Sequence, residues 1–204
     1  MPDPPSGSFA RRHWRALAAS VTALLALTLL VALLGGFSTA DPAGTARPGE
    51  TVEAGPFRLT LDEAVTGRRL SGVEAPNPRT TLLALRGTLA ITVPEPIGIG
   101  TVDELLDVEG LGATYDVYGD PADEAGASLR MPDGSSLIGV GPGLTYDVAW
   151  LYVVDRDDLP DNVDVTVQQH ELVVSQLDSE ERWLLPEPKV RLRLPVGADP
   201  GSGG

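Results

Sequence analysis

An uncharged apolar run from Ala16 to Phe37 constrains this chain more than any other feature, because a segment of this kind is able to cross a membrane. As a helix rising about 1.5 Å per residue, the run would extend for about 33 Å. The hydrocarbon core of a bilayer is about 30 Å thick. The run therefore predicts one transmembrane helix at residues 16–37, and it leaves the residues that follow to form the folded domain.

The charges that flank the run predict its orientation. Arg11, Arg12 and Arg15 precede it, whereas Asp41 is the first charged residue after it. By the positive-inside rule, residues 1–15 form a cytoplasmic tail and the carboxyl-terminal part lies outside the cytoplasm. We therefore expect a single-pass protein of the cell membrane.

A cleaved signal peptide is the alternative to this anchor. Ser38, Thr39 and Ala40 are small residues of the kind that a signal peptidase prefers. The apolar run, however, is longer than the core of about 7 to 15 residues that is usual in a signal peptide. Its length favours an uncleaved signal anchor.

The charge of the remaining chain restricts its partners. Three of the 15 basic residues precede residue 16, but only one of the 29 acidic residues does. The extracytoplasmic part is therefore strongly acidic, and such a surface repels nucleic acid. We expect the membrane and another envelope protein as partners and no nucleic acid. The chain contains no cysteine, which excludes a disulfide framework.

Composition divides the extracytoplasmic part into three segments. Residues 38–53 are rich in proline and glycine and have no apolar periodicity, which predicts a linker. Residues 197–204 are rich in glycine and are predicted to form a disordered tail. Residues 54–196 lie between them and are numerous enough for one domain with a hydrophobic core.

Apolar and polar residues alternate with a period of two along much of residues 54–196. This alternation is typical of β-strands that bury one face. It predicts five long strands. The apolar positions are, strand by strand, Phe57, Leu59 and Leu61; Leu83, Leu85, Leu89, Ile91 and Val93; Tyr146, Val148, Trp150, Tyr152 and Val154; Val163, Val165 and Val167; and Val190, Leu192, Leu194 and Val196.

Turn-forming residues separate these strands. They are Pro-Asp-Gly at 132–134, Gly-Pro-Gly at 141–143 and Pro-Asp-Asn at 160–162. Short strands separated by turns of this kind predict an all-β antiparallel sandwich or barrel rather than alternating βα units.

The stretch from Pro94 to Gly126 is less regular than the rest. Thr101 and Glu104 have the spacing of a helix capping box, which permits a short helix there. The same residues also fit the start of a strand through Leu105. The sequence leaves both interpretations open.

Several motifs follow one another along the domain: Phe57–Leu61, the strand through Leu89 and Ile91, Leu129–Gly134, Gly141–Leu144, Val148–Trp150, Leu159-Pro160 and the single Trp183. In this order they resemble a family of bacterial membrane-anchored extracellular domains of unknown function with an immunoglobulin-like fold. The resemblance covers most of residues 50–196 and implies an antiparallel immunoglobulin-like β-sandwich. Its motifs are turn and core positions, so it supplies no catalytic residues.

The acidic loop, residues 155–164, is the strongest local candidate for ligand binding, because clustered carboxylate oxygens are the ligands that calcium prefers. It contains five aspartates, but its spacing does not match an EF-hand loop. Leu159 and Pro160 stand where an oxygen ligand and a glycine are required, and Thr166 replaces the last glutamate. A solvated hairpin is the interpretation that we favour.

His170 is the one histidine outside the predicted cytoplasmic tail, and therefore the one candidate imidazole for general-base catalysis. By strand alternation it shares the polar face of Thr166 and Gln168, which predicts an exposed side chain. Trp150 is expected in the core. Trp183 fits either a sheet-packing residue or an exposed anchor.

These patterns contain no recognisable catalytic, cofactor-binding or metal-binding motif. We therefore expect a non-enzymatic interaction or accessory module of the bacterial cell envelope, which contacts another envelope protein. The alternative is a ligand-binding module for calcium or cell-wall glycan that uses the acidic loop or Trp183. An enzyme with an unrecognised site has the least support.

Overall fold

The computed structural model describes residues 44–122, 126–174 and 181–199, which form a mostly β-strand fold. Within these ranges the one helix, α1 (Ile99–Asp103), is short. In chain order the strands are β1 (Thr51–Ala54), β2 (Phe57–Gly67), β3 (Arg69–Leu70), β4 (Val73–Glu74), β5 (Thr80–Ile91), β6 (Ile97–Gly98), β7 (Leu106–Glu109), β8 (Thr114–Tyr115), β9 (Pro121–Ala122), β10 (Ser128–Arg130), β11 (Gly139–Val140), β12 (Thr145–Asp155), β13 (Asn162–Val174) and β14 (Glu181–Ala198).

The long strands form one sheet with the order β7-β13-β14-β2-β5-β12-β8-β9, while β1 pairs with β2 and β10 with β12. Neighbours are antiparallel except where Val196–Ala198 of β14 runs parallel to Ala64–Thr66 of β2. This short parallel contact joins the half containing β7, β13 and β14 to the half containing β2, β5 and β12.

Both halves of the sheet bury side chains in the same hydrophobic core. Val165 of β13 and Leu194 of β14 belong to one cluster with Leu59 of β2, Leu85 of β5 and Trp150 of β12. Strands that are not neighbours in the sheet share this core because the two halves face each other. The predicted all-β sandwich is confirmed at this level.

Strand β12 is buried on both faces. Val148, Trp150, Tyr152 and Val154 enter the main core, as the alternation predicts. The intervening Ala149, Leu151 and Val153 enter a second, smaller core together with residues of β2, β5 and the β3–β4 hairpin. The sequence pattern predicts the first face. The second is covered by segments that carry little periodicity of their own.

The three predicted turns lie between strands. Residues 132–134 lie between β10 and β11, residues 141–143 between β11 and β12, and residues 160–162 at the start of β13. Gly134 and Gly143 have φ of 86° and 73°, which is the left-handed region that favours glycine. The turn chemistry in the sequence therefore predicts these connections correctly.

The ends of the folded domain differ from the predicted boundaries. Ala46 donates its N–H to the Arg191 carbonyl at 3.0 Å, and β1 begins at Thr51, so residues from 44 onward pair with the sheet although 38–53 are predicted to be a linker. At the other terminus β14 continues to Ala198, within the predicted tail 197–204. Backbone hydrogen bonds at strand edges need no side-chain periodicity, which is why composition misses them.

The irregular stretch after Pro94 contains both a helix and a strand. Helix α1 starts at Ile99 with Gly98 as its N-cap and without a side-chain cap, so the capping box at Thr101 and Glu104 is not used. Strand β7 follows from Leu106, and its partner is β13. Burial of Val102, Leu105 and Leu106 in the main core holds this connection.

No helix among the described residues is long and apolar enough to cross a membrane. The predicted cytoplasmic tail at 1–15 and the predicted transmembrane helix at 16–37 lie outside the described residues.

Candidate interaction surface

The β13–β14 hairpin extends beyond the rest of the sandwich. Strand β7 pairs with β13 only from Asp164 to Val167, and the Gln168 N–H then donates to the Leu105 carbonyl at 2.8 Å. The pairing of β13 with β14 continues to Val174 and Glu181. Residues 168–174 and 181–188 therefore form a two-stranded segment, which we call the ribbon.

His170 lies at the base of the ribbon and is buried, with 1% of its surface exposed. The prediction of an exposed histidine is therefore wrong. Irregularities in register between Val167 and Gln168 and between Gln169 and Glu171 interrupt the alternation on which it relied. The imidazole instead faces the core, where its ring packs edge-on against Phe57 at a centroid distance of 5.7 Å.

The surroundings of His170 favour the neutral imidazole. Neither ring nitrogen has a hydrogen-bond partner among the described residues. The Glu104 carboxylate lies 3.7 Å from Nε2, but the Glu104 side chain is itself 63% exposed. Burial lowers the pKa of His170, and Glu104 offsets part of that decrease. The closed position of the ring gives this histidine a packing role and keeps it away from solutes.

The turn between β1 and β2 closes over the base of the ribbon. Gly55 has φ of 64°, and a Cβ atom at this position would lie 2.2 Å from the His170 carbonyl oxygen. Only glycine allows this close approach of the two backbones. The base of the ribbon is therefore held rigidly between Gly55, Phe57 and Glu104.

Beyond His170 the ribbon carries apolar side chains into solvent. Leu172 and Val174 are 48% and 56% exposed. Leu172 faces residues 93–98 across a cleft, and Val174, two residues further along β13, lies on the same face. Leu172 pairs directly with Trp183, which is partly buried against the main core. Trp183 thus combines the two roles proposed for it, since it packs on the sheet and also reaches the surface.

A cleft separates this face of the ribbon from the segment that follows β5. It has a volume of about 430 Å³ and is lined by Leu172, Glu181 and Trp183 on one side and by residues 93–98 and Thr101 on the other. We call it the ribbon cleft. Its walls are mixed: two prolines, an isoleucine and a tryptophan contribute apolar surface, and Glu95 and Glu181 contribute carboxylates.

Two further exposed apolar side chains lie at the same end of the sandwich. Ile138 is 84% exposed and precedes β11, which pairs with β6 beside the cleft. Leu144 is 55% exposed and precedes β12, whose first residue pairs with Ala90 near the end of β5. We call this region the apolar end: Ile138, Leu144, Leu172, Val174 and Trp183. The sequence does not predict the apolar end, because the alternation of apolar and polar residues within a strand does not show that the strand extends beyond its neighbours.

The acidic loop lies at the opposite end, between β12 and β13. Asp155 accepts hydrogen bonds from the Tyr115 hydroxyl at 3.0 Å and from the Asp157 N–H at 2.9 Å, and Asp164 lies 3.9 Å from Arg193. The part of the chain that is described has no group of three or more acidic, histidine or cysteine side chains placed to hold a metal ion. This arrangement fits the solvated hairpin.

A second concave surface lies over the smaller core. This tyrosine groove has a volume of about 420 Å³ and is lined mainly by apolar side chains, including those of Leu82, Tyr115, Leu151 and Val153. Tyr118, at its rim, is 84% exposed. The groove has the size of a small-ligand site, but the sequence contains no motif that marks it.

Comparisons with known proteins give distant matches. No protein-family model matches the chain, and no curated protein matches it. An uncharacterized β-sandwich protein from Clostridium difficile is similar, with 11% identity, a TM-score of 0.44, and coverage of 76% of this chain and 97% of that one. A candidate lipoprotein from Bacillus subtilis has 8% identity and a TM-score of 0.39, with coverage of 71% and 38%. Neither likeness carries a statement about function.

Proposed function

We propose that this protein is a membrane-tethered, extracytoplasmic interaction module that binds another protein of the bacterial cell envelope through its apolar end. One observation carries the proposal: four of the seven exposed large apolar side chains among the described residues, including Ile138 at 84% exposure, lie at one end of the sandwich. Exposed apolar side chains that gather at one end of a folded domain suit an interaction site, because their burial against a partner is favourable by about 25 cal/mol per Å².

The tether and its orientation rest on the sequence. The apolar run at 16–37 and the arginines before it support a signal anchor with a cytoplasmic amino terminus and an extracytoplasmic domain. An immunoglobulin-like sandwich of the anchored bacterial family is part of the same proposal. The fully buried Trp150 in a central strand supports it, since a core tryptophan is a feature of immunoglobulin-like folds.

Labelling of single introduced cysteines tests the tether. The chain has no cysteine of its own, so Ser8→Cys and Ser202→Cys each provide one unique thiol. In intact cells we expect a membrane-impermeant maleimide to label the second variant and not the first. Labelling of Ser8→Cys to the same extent would contradict the orientation, and loss of the protein into the medium would favour the cleaved signal peptide.

Co-purification tests the interaction. The full-length chain, extracted from its own membranes in mild detergent, is compared with a shortened chain that ends at residue 43. We expect a partner that is retained only with the domain, and that is lost at least tenfold from a Leu172→Asp, Ile138→Asp double variant. Leu159→Asp, an exposed leucine in the acidic loop, is the matched control and retains the partner. Equal recovery from all forms would contradict the proposal.

Ligand binding is the second candidate function, and the tyrosine groove favours it. A concave surface of about 420 Å³ with an exposed tyrosine at its rim suits a sugar ring of cell-wall glycan, which stacks on aromatic side chains. Calorimetry with soluble wall fragments tests it, with Tyr118→Ala as the variant. Titration with calcium tests the acidic loop in the same way. Heat that is lost in the variant would favour this function over protein binding.

A further inference from the structure

The tyrosine groove is lined mainly by apolar side chains and has an arginine at one end. Leu151 and Val153 of β12 form part of its floor and belong to the smaller core. Arg130 of β10 pairs with Ala149 of β12, and Tyr115 of β8 pairs with Val153. Paired residues of antiparallel strands lie on the same face, so the positions of Arg130 and Tyr115 are about 13 Å apart along β12 at about 3.3 Å per residue. The groove is therefore elongated, with a cation near one end and a tyrosine near the other.

The Arg130 guanidinium is held by hydroxyl groups rather than by a carboxylate. Its Nε–H donates to Ser128 Oγ at 3.0 Å, and its Nη1 donates to Ser136 Oγ at 2.5 Å. A guanidinium carries five N–H groups, and these two contacts use two of them. The side chain is therefore fixed in orientation, and among the described residues its Nη2 has no acceptor.

The carboxylates that line the groove already have partners. Glu74 accepts a hydrogen bond from Arg69 at 2.6 Å. Asp116 accepts hydrogen bonds from two backbone N–H groups of its own loop, each at 2.9 Å. The chain as a whole is acidic, but exposed charges are screened beyond about 8 Å at physiological ionic strength. Arg130 is thus the charged side chain of the groove that has only neutral partners in the described part of the chain.

We propose that the tyrosine groove binds an amphipathic organic acid, whose carboxylate pairs with Arg130 and whose linear apolar body lies over Leu151 and Val153. The free N–H groups of the guanidinium donate to the carboxylate, and such charge-assisted hydrogen bonds are about twice as strong as neutral ones. Burial of the apolar body on the floor of the groove supplies the rest of the affinity. The inference goes beyond both candidate functions, because it names another ligand class and does not involve the apolar end.

Calorimetry with three ligands that share one body tests the inference. The full-length chain in nanodiscs of zwitterionic lipid is titrated with phenylhexanoate, with the corresponding amide and with the corresponding amine, and the heats from empty nanodiscs are subtracted. We expect the acid to bind at least tenfold more tightly than the amide, and the amine to bind more weakly than the amide. Equal affinity of the acid and the amide, a preference for the amine, or no binding of the acid overturns the inference.

The variant Arg130→Gln separates the pairing of charges from contact with the apolar floor. It removes the positive charge and keeps a hydrogen-bonding side chain. We expect this variant to bind the acid no more tightly than the amide, while its affinity for the amide changes by less than twofold, which also shows that the groove is intact. Arg193→Gln, an exposed arginine of β14, is the matched control and should keep the tenfold preference. A preference for the acid that survives Arg130→Gln overturns the inference.

A pair of valine variants tests the position of the apolar body. Val117 lines the groove and is 61% exposed, whereas Val174 is 56% exposed at the apolar end. Val117→Asn should weaken binding of the acid and of the amide alike by at least threefold, and Val174→Asn should change neither. The reverse result would place the ligand at the apolar end and overturn the inference.

Soluble wall fragments distinguish this inference from the glycan candidate for the same groove. Heat from wall fragments that persists in Arg130→Gln, together with no binding of phenylhexanoate, would overturn the inference and leave the glycan candidate standing. Binding of phenylhexanoate that requires Arg130, without heat from wall fragments, would support the inference and remove the glycan candidate. Neither result affects the partner expected at the apolar end.

Discussion

The two ends of the sandwich differ in how the strand β13 is connected and covered. At the acidic loop, β12 and β13 are joined by a short connection in which Asp155 accepts hydrogen bonds from Tyr115 and from the backbone of Asp157. At the apolar end, β13 runs past its neighbour β7 and leaves Leu172 and Val174 in solvent. At the first end a carboxylate accepts hydrogen bonds from within the domain, whereas the second end leaves apolar side chains exposed.

This difference shows that a high density of charged residues in the sequence is not by itself evidence of a binding site. The acidic loop attracts attention in the sequence because five aspartates lie within ten positions. In the structure Asp155 accepts a hydrogen bond from the Asp157 N–H and Asp164 lies near Arg193, as aspartates in turns and hairpins commonly do. The apolar end carries no motif, yet its exposed side chains have the most to gain from a partner.

Glycines at the two ends provide the largest expected contrast in stability. Gly55→Ala at the apolar end combines a positive φ with a Cβ atom 2.2 Å from the His170 carbonyl oxygen. We expect a loss of about 2 to 5 kcal/mol in the free energy of unfolding, measured by urea denaturation. Gly110→Ala near the acidic loop has φ of 82° but nothing within 4 Å, so a loss of about 1 kcal/mol is expected. Equal losses would contradict the close packing at the base of the ribbon.

The dependence of stability on pH provides the second contrast. Burial lowers the pKa of His170 in the folded protein, so below about pH 6.5 the unfolded chain takes up a proton more readily than the folded one. The free energy of unfolding should therefore fall as the pH decreases from 7 towards 5, by at most about 1.4 kcal/mol per pH unit. The stability that comes from keeping His170 neutral is therefore present above the pKa of this histidine in the unfolded chain, and it is lost as the pH falls below that value.

Two histidine variants check the origin of this dependence. His170→Leu should remove the slope between pH 5 and 7, whereas His13→Gln, in the predicted cytoplasmic tail, should retain it. Burial raises the pKa of Asp103, so this carboxyl changes stability with pH in the direction opposite to that of the histidine. A slope that survives His170→Leu would show that another group is responsible.

Exposed leucines at the two ends give the smallest effect on stability and the sharpest effect on binding. Leu172→Asp and Leu159→Asp both replace side chains at the surface, with 48% and 37% exposure. Each should change the free energy of unfolding by less than about 0.5 kcal/mol. Only the first should reduce partner recovery. A large loss of stability in Leu172→Asp would mean that this leucine belongs to the core rather than to a binding surface.

The sequence predicts the central strands well because their burial is periodic. Leu83, Leu85 and Leu89 of β5 and Leu192 and Leu194 of β14 lie in the main core as their alternation indicates. Alternation of this kind reflects one buried face and is local to the strand. The turn glycines are predictable for the same reason, since a positive φ is a local requirement.

The features that the sequence does not predict all depend on neighbours far away in the chain. His170 is buried because the register of β13 against β14 is irregular, and no residue type near it signals that irregularity. The ribbon is exposed because β7 begins only at Leu106, opposite Val167, which no pattern in β13 can show. The continuous apolar run Leu172-Val173-Val174 is the one signal that could have extended the predicted strand.

The closing strand β14 also decides when this fold can be completed. Its residues 181–195 pair with β13, and residues 196–198 pair with β2, which lies more than 130 positions earlier in the chain. Contacts of such long sequence separation form slowly, because the intervening chain must be ordered first. During synthesis, β2, β5 and β12 are made long before the strand that joins them to the other half. The sandwich therefore closes only after almost the whole chain has emerged, and until then its central strands depend on whatever shields them from aggregation.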